Sequence, residues 1–181
     1  MVYILLAAGF EEMEALTPCD LLRRAGVAVK LVGVDGEIVS GGHAIGVQTD
    51  MRVEDVSLDD AEMIVLPGGL VGVENLKKSE KAMDLVREAY EKGIYVAAIC
   101  AAPTILAELG ITNGLLATCH PTVRDQMAEA NLLTEAEAVQ DGRIITGTAA
   151  GTSVAFALQL ITALRGREKA NELADAIVYR T

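Results

Sequence analysis

Aromatic side chains make up 3% of this 181-residue chain, and tryptophan is absent. Its core must therefore be assembled from Val, Ile, Leu and Ala, which a hydrophobic fraction of 51% supplies in quantity. Basic residues are scarce as well: 15 Lys and Arg stand against 26 Asp and Glu, a formal net charge of -11. That leaves no basic stripe for a polyanion, so nucleic acid is disfavoured as a partner and the charge reads as solubility. No run reaches the ~18 apolar residues of a membrane span, and no membrane partner is expected. The apolar start MVYILLAAGF carries no basic residue and runs into Glu11, Glu12 and Glu14. It reads as a strand rather than a secretory signal. The three cysteines are an odd count without a CxxC pair, which suits free thiols in a reducing, cytoplasmic setting. The only histidines, His43 and His120, lack zinc-type spacing, so no structural metal is expected.

What is present is an alternation of strand-like and helix-like segments. Residues 2–8 form a short buried strand, followed by an amphipathic stretch over 11–24 that stops at Gly26. Acids at its start and Arg23 and Arg24 at its end suit a helix dipole, while Pro18 predicts a kink or a late start. Further strands are expected at 27–34, 61–69, 94–99, 115–118 and 143–147. Gly-rich turns mark a small hairpin within 35–57, and Asp141-Gly142 marks another. Helices are expected at 79–92, just after Cys100, as a helical piece after Pro121, and over 153–166 and 168–179. No repeat or linker interrupts the pattern. A chain of this length is expected to form one domain, 1–181, burying roughly 70% of its unfolded surface. Continuous apolar strands separated by helices specify a mostly parallel sheet covered on both faces, an α/β sandwich.

Ligand sites in such sheets lie beyond the carboxyl ends of the strands. In GIYVAAICAAPTILAELG, residues 93–110, Cys100 occupies one such end, on an abrupt strand-to-helix turn of the nucleophile-elbow kind. Unpaired N–H groups and the dipole of the following helix are expected to lower its pKa below the usual ~8.5. The alternative is a buried cysteine acting as a small hydrophobe. Other strand ends should converge on the same crevice: Glu11, Glu12 and Glu14 in AAGFEEME, Gly68 and Gly69 in LPGG, and His120 in TCHPTV. Glycine N–H groups can approach an oxyanion unobstructed. The turn GTAAGTS, 147–153, lacks a P-loop lysine and reads mainly as helix–sheet packing.

AAGFEEMEALTPCDLLRRAG, VLPGG, AAICAAPTIL, CHPTVRDQM and AGTSVAFAL, in this order over nearly the whole chain, resemble the ThiJ/PfpI superfamily, and within it the DJ-one branch. The resemblance implies a flavodoxin-like three-layer sandwich, a homodimer, and a nucleophile elbow at Cys100. It also implies a protonated Glu14 hydrogen-bonded to the thiolate, an active-site His120, and a backbone donor at Gly69; Gly68 and Ala101 are expected to bind substrate or oxyanion beside it. The chain departs from the family pattern at Ala102-Pro103, where Gly-Pro is frequent, and at Thr148, where some members carry a basic residue. Ala101 stands where the protease-like branch has a histidine, and no His-x-Glu of a glutamine amidotransferase follows. The implied activity is cofactor-independent addition of Cys100 to a reactive aldehyde: conversion of methylglyoxal to lactate, or deglycation of early glycation adducts, with neither glutathione nor metal. The alternative from another class is a redox sensor or stress-linked chaperone whose Cys100 is oxidised to sulfinic acid.

Overall fold

In the computed structural model, which describes residues 1–180, the chain opens with strand β1 (Val2–Leu6), helix α1 (Glu12–Arg24) and strand β2 (Val29–Gly33). A hairpin of β3 (Ile38–Ser40) and β4 (Gly46–Gln48) and the short β5 (Met51–Arg52) follow. Next come β6 (Met63–Leu66), α2 (Leu70–Lys78), α3 (Glu80–Glu91), β7 (Tyr95–Ile99) and α4 (Pro103–Glu108). The last third holds β8 (Leu116–Ala117), β9 (Asn131–Leu132), β10 (Ala138–Asp141), β11 (Ile144–Gly147), α5 (Ser153–Arg165) and α6 (Arg167–Ala176).

Seven strands form the central sheet in the order β10-β11-β7-β6-β1-β2-β5. Its middle, β2-β1-β6-β7-β11, is wholly parallel and has the flavodoxin-like arrangement, so the expected fold is found. Only β10 runs antiparallel, closing the Asp141-Gly142 hairpin against β11. β1 lies at the switch point, with Val2 in register with Val29 on one side and Met63 on the other. The period of two in β1 separates the layers. Tyr3, Leu5 and Ala7 pack with Leu85, Val86, Ile105 and Leu106 on one face. Val2, Ile4 and Leu6 pack with Leu22, Phe156 and Leu160 on the other. Because both faces are covered, β1 is buried at every position, which is why it reads as a continuous apolar run.

Local expectations fail in three places. Helix α1 begins at Glu12 and continues through Pro18, so there is no late start; buried Pro18 is retained by packing although it removes a helical donor. Residues 115–118 are not a sheet strand: β8 pairs with β9 in a separate two-stranded ribbon. Helix α2 has no counterpart in the sequence reading. Its LVGVENLKK carries two exposed apolar residues, Leu70 and Val71, on the wrong side of an amphipathic pattern, and an internal Gly72. That glycine serves close approach. A Cβ there would sit 2.7 Å from both the Cα and the backbone N of Phe10. Gly147 likewise lies against Phe156, where a Cβ would come within 2.8 Å of the ring. The packing role read for the 147–153 turn therefore has a structural basis.

Gly72→Ala opposes two effects. Alanine raises helix propensity by ~1 kcal/mol, but the clash is with backbone atoms that cannot rotate away. Overpacking of this kind costs about 1–3 kcal/mol, so the clash prevails. Thermal unfolding followed by circular dichroism should show a Tm lowered by several degrees; an unchanged or higher Tm would refute the close approach.

Candidate active site

Cys100 follows the last residue of β7 and takes a left-handed backbone conformation, φ 68°, unusual for a residue with a side chain. Two backbone hydrogen bonds hold it: its N–H donates to Gly147 O at 3.0 Å, and its carbonyl accepts from His120 N at 2.8 Å. β11 and the segment after β8 thus clamp the turn from either side. The thiol is partly buried, whereas Cys19 and Cys119 are 5% and 1% exposed. The elbow expected at Cys100 is present.

Glu14 reaches the same point from the first turn of α1. It is fully buried, and its Oε2 accepts the Gly68 N–H at 2.8 Å. Its other oxygen, Oε1, is buried without a hydrogen-bond partner among the described residues. A Cβ on Gly68 would lie 2.5 Å from Glu14 Oε2 and 2.7 Å from Cys100 Cβ, so glycine is needed for the carboxyl group and the cysteine to meet. Since the Gly68 N–H is engaged by Glu14, the two glycines divide their work. Gly69 (φ 87°) and Ala101 are the residues whose N–H groups act on the thiol.

The electrostatics differ from the sequence expectation. Burial first, and then the Glu14 carboxylate, push the Cys100 thiol up to about 12 rather than below its ordinary value; the Gly69 and Ala101 N–H groups pull the other way. Helix α4 is six residues long, too short for a strong dipole to reverse this. Burial raises Glu14 itself to about 7, against the hydrogen bonds from Cys100 and Gly68. Two neighbouring acids of this kind titrate as a pair. Near neutrality one proton leaves, mainly from Glu14, and the arrangement with the remaining proton on Glu14 and Cys100 as the thiolate is the minor form of the pair.

His120 shares with Cys100 a cavity of about 210 Å³, completed by Leu70, Ala101 and Thr122. Its ring Nδ1 lies 2.8 Å from Thr122 Oγ1 and accepts the Thr122 N–H at 3.3 Å. Thr118 N–H donates to Thr146 Oγ1 at 2.8 Å and ties this segment to β11. Leu70 and Thr122 were not singled out from the sequence; His120 caps the short 3-10 turn that follows it by accepting the Thr122 N–H, a contact with no sequence signature of its own. Glu11 and Glu12 belong to a different corner. Glu12 accepts from His43 N at 2.8 Å and pairs with its ring Nδ1 at 2.9 Å, fastening the β3–β4 hairpin to the start of α1. Their carboxylates and His43 would admit a cation geometrically, but the Glu12–His43 pair accounts for the cluster. Among the described residues no helix is long and apolar enough to cross a membrane.

A model of the DJ-1/PfpI family matches residues 1–163. The chain belongs to that family. Protein dj-1beta of Drosophila melanogaster is 36% identical over 177 residues, covering 97% of this chain and 95% of that protein. The crystal structure of Drosophila DJ-1beta matches with a TM-score of 0.94 over 99% of this chain and 98% of that one, at 35% identity. A protein of Pyrococcus abyssi named as a deglycase is 30% identical, covering 91% of this chain and 99% of that one. The structure of oxidized Toxoplasma gondii DJ-1 matches with a TM-score of 0.93 at 30% identity, over 99% of this chain and 98% of that one. The fold brings Glu14, Gly68, Cys100 and His120 together at one end of the sheet.

The sign of the electrostatics is testable. Glu14→Gln removes the charge that opposes thiolate formation but keeps an oxygen for the Gly68 N–H. Alkylation of Cys100 by iodoacetamide in the native protein should rise with pH through a step near pH 7, as the shared proton leaves. In Glu14→Gln the thiol should titrate below its native value, with about tenfold more thiolate per unit of downward shift. Slower alkylation of Glu14→Gln across the whole pH range would show that ionised Glu14 does not restrain the thiol.

Proposed function

We propose that the chain is a cofactor-independent, cysteine-dependent enzyme acting on small 2-oxoaldehydes, converting methylglyoxal to lactate, with early glycation adducts of the same aldehydes as further substrates. The observation that carries this reading is a thiol on a left-handed elbow that lines a cavity of about 210 Å³ and is backed by a buried carboxyl group raised to about 7. That volume lies below the roughly 300–1,000 Å³ of sites for drug-sized ligands, and suits a three-carbon substrate. The deglycase name of the Pyrococcus abyssi relative supports the adduct branch.

In this mechanism Cys100 thiolate adds to the aldehyde carbon; the C–S bond forms and the carbonyl oxygen takes the proton held by Glu14. The hydrogen on that carbon then leaves as a proton to Glu14 or His120, its electron pair forming a carbon–carbon double bond while the π pair of the adjacent carbonyl moves onto its oxygen, which takes a proton to complete the enediol. A proton then returns to that adjacent carbon as the hydroxyl on the sulfur-bearing carbon gives up its own, and a lactoyl thioester results. One carbon has been oxidised and its neighbour reduced, so no external oxidant or reductant enters. Water attacks the thioester, the C–S bond breaks, and lactate and thiolate are released. Gly69 and Ala101 N–H groups stabilise negative charge as it develops. The proposal places the enzyme in a reducing cytoplasm, which suits three free thiols, and as the homodimer the family resemblance implies.

Cys100→Ser should reduce lactate formation from methylglyoxal to the uncatalysed level with an unchanged circular dichroism spectrum, because a serine hydroxyl is hardly ionised at neutral pH. Cys19→Ala and Cys119→Ala should retain most of the turnover. Full turnover in Cys100→Ser would remove the nucleophile. Release of free amine from a purified glycated peptide, with an aldehyde trap present, tests the adduct branch separately.

A redox-sensing role is the second reading, favoured by the Gly69 and Ala101 N–H groups around the sulfur, which can donate to sulfinate oxygens. Graded peroxide followed by peptide mass spectrometry should find sulfenic and then sulfinic acid at Cys100 before Cys19 or Cys119 reacts, since those two are buried. First oxidation at either of the others would count against it.

A further inference from the structure

His120 could serve the proposed reaction as a base or as a hydrogen-bond donor, and its contacts distinguish the two. The Thr122 backbone N–H, a group that can only donate, points at ring Nδ1 at 3.3 Å. The nitrogen receiving it must present a lone pair. The Thr122 hydroxyl, 2.8 Å from the same nitrogen, then donates as well. A neutral imidazole carries one ring proton, which is thereby left to Nε2. Pro121 between the two residues has no N–H to offer in competition. The backbone of His120 is anchored beside the thiol, its N–H donating to Cys100 O at 2.8 Å, and the two contacts to Thr122 hold the ring. Both residues line the cavity that holds the thiol.

We infer that Thr122 is a positioning residue that locks His120 in the Nε2-protonated tautomer, making the histidine a hydrogen-bond donor to the substrate's carbonyl oxygens and leaving proton transfer to Glu14. This rests on the dicarbonyl reading for its substrate, but not for the tautomer itself. For His120 to take a proton at Nε2, its existing proton would have to move to Nδ1, directly against the Thr122 N–H, leaving two donors opposed. Glu14 meets no such obstacle: its Oε1 accepts no hydrogen bond that meets ordinary geometry among the described residues, and its affinity for protons is balanced near neutrality. The two groups therefore divide the labour, with Glu14 moving protons and His120 stabilising the oxygen on which negative charge appears. Such a division follows the rule that a neutral imidazole donor polarises a carbonyl while a separate carboxylate carries the proton.

The experiment has a spectroscopic arm and a kinetic arm. Long-range ¹H–¹⁵N correlation on the labelled protein at alkaline pH, with His120 assigned by comparison to His120→Gln, should show a pyridine-type Nδ1 and a pyrrole-type Nε2. A pyrrole-type Nδ1 would overturn the inference whatever the activity. Thr122→Val deletes the hydroxyl and keeps the backbone N–H; it should mix the tautomers and lower kcat for methylglyoxal about two- to tenfold with KM little changed. Thr122→Ser should restore both. In the kinetic arm, His120→Gln supplies a donor that cannot act as a base, and should turn over well above His120→Leu. Equal loss in both would return the histidine to a base and overturn the division of roles. Absence of turnover in the native protein would defeat the dicarbonyl reading alone, because the spectrum would still decide the tautomer.

Discussion

The site depends on one constrained residue. Cys100 has a φ of 68°, in a region that costs a side-chain-bearing residue of order 1–2 kcal/mol, and the fold holds it there with neighbours on both sides. β11 accepts its N–H through Gly147, and the segment carrying His120 donates to its carbonyl. Relaxing the turn would break both bonds, turn the sulfur away from Glu14 and release the histidine. The two bonds that hold the turn therefore also fix the relative positions of thiol, carboxyl group and imidazole.

Around that residue the fold arranges opposing electrostatic effects. The glycines after β6 let α1 and β7 approach until a carboxyl group and a thiol occupy neighbouring space, and burial raises both. A fully exposed thiolate would be easier to form but less useful, since nucleophilicity falls with pKa. A buried pair that gives up one proton near neutrality shares the remaining one between carboxyl group and thiol. Backbone N–H groups from Gly69 and Ala101 supply stabilisation that carries no formal charge and cannot titrate.

The position of the pair at the switch point between β1 and β6 connects the chemistry to the architecture. Adjacent parallel strands there send their connections to opposite faces of the sheet, which opens a crevice at their carboxyl ends. α1 leaves on one face and α2 and α4 on the other, so residues separated by nearly a hundred positions become neighbours. The same ends carry Leu70 and Thr122, which limit the cavity to a small volume.

Much of this was legible in the sequence because it is local. Apolar runs such as YILL and YVAAI declare buried parallel strands, Asp141-Gly142 declares a hairpin, and the thiol at the junction of IYVAAI and AAPTIL declares an elbow. The motifs from Glu14 to His120 carry the family. Tertiary structure alone decided the rest. Helix α2 was hidden because Gly72 is placed for Phe10, a contact no helical periodicity encodes. The 115–118 strand left the sheet for β9, a choice that depends on which edge is free. The direction of the Cys100 shift depended on how deeply the sulfur lies and how near Glu14 comes, and charge interactions grow steeply as distance and dielectric fall. Periodicity and turn chemistry act within a few residues and so can be read along the chain. Burial and the orientation of a ring toward Thr122 belong to three dimensions, and only the packed fold sets them.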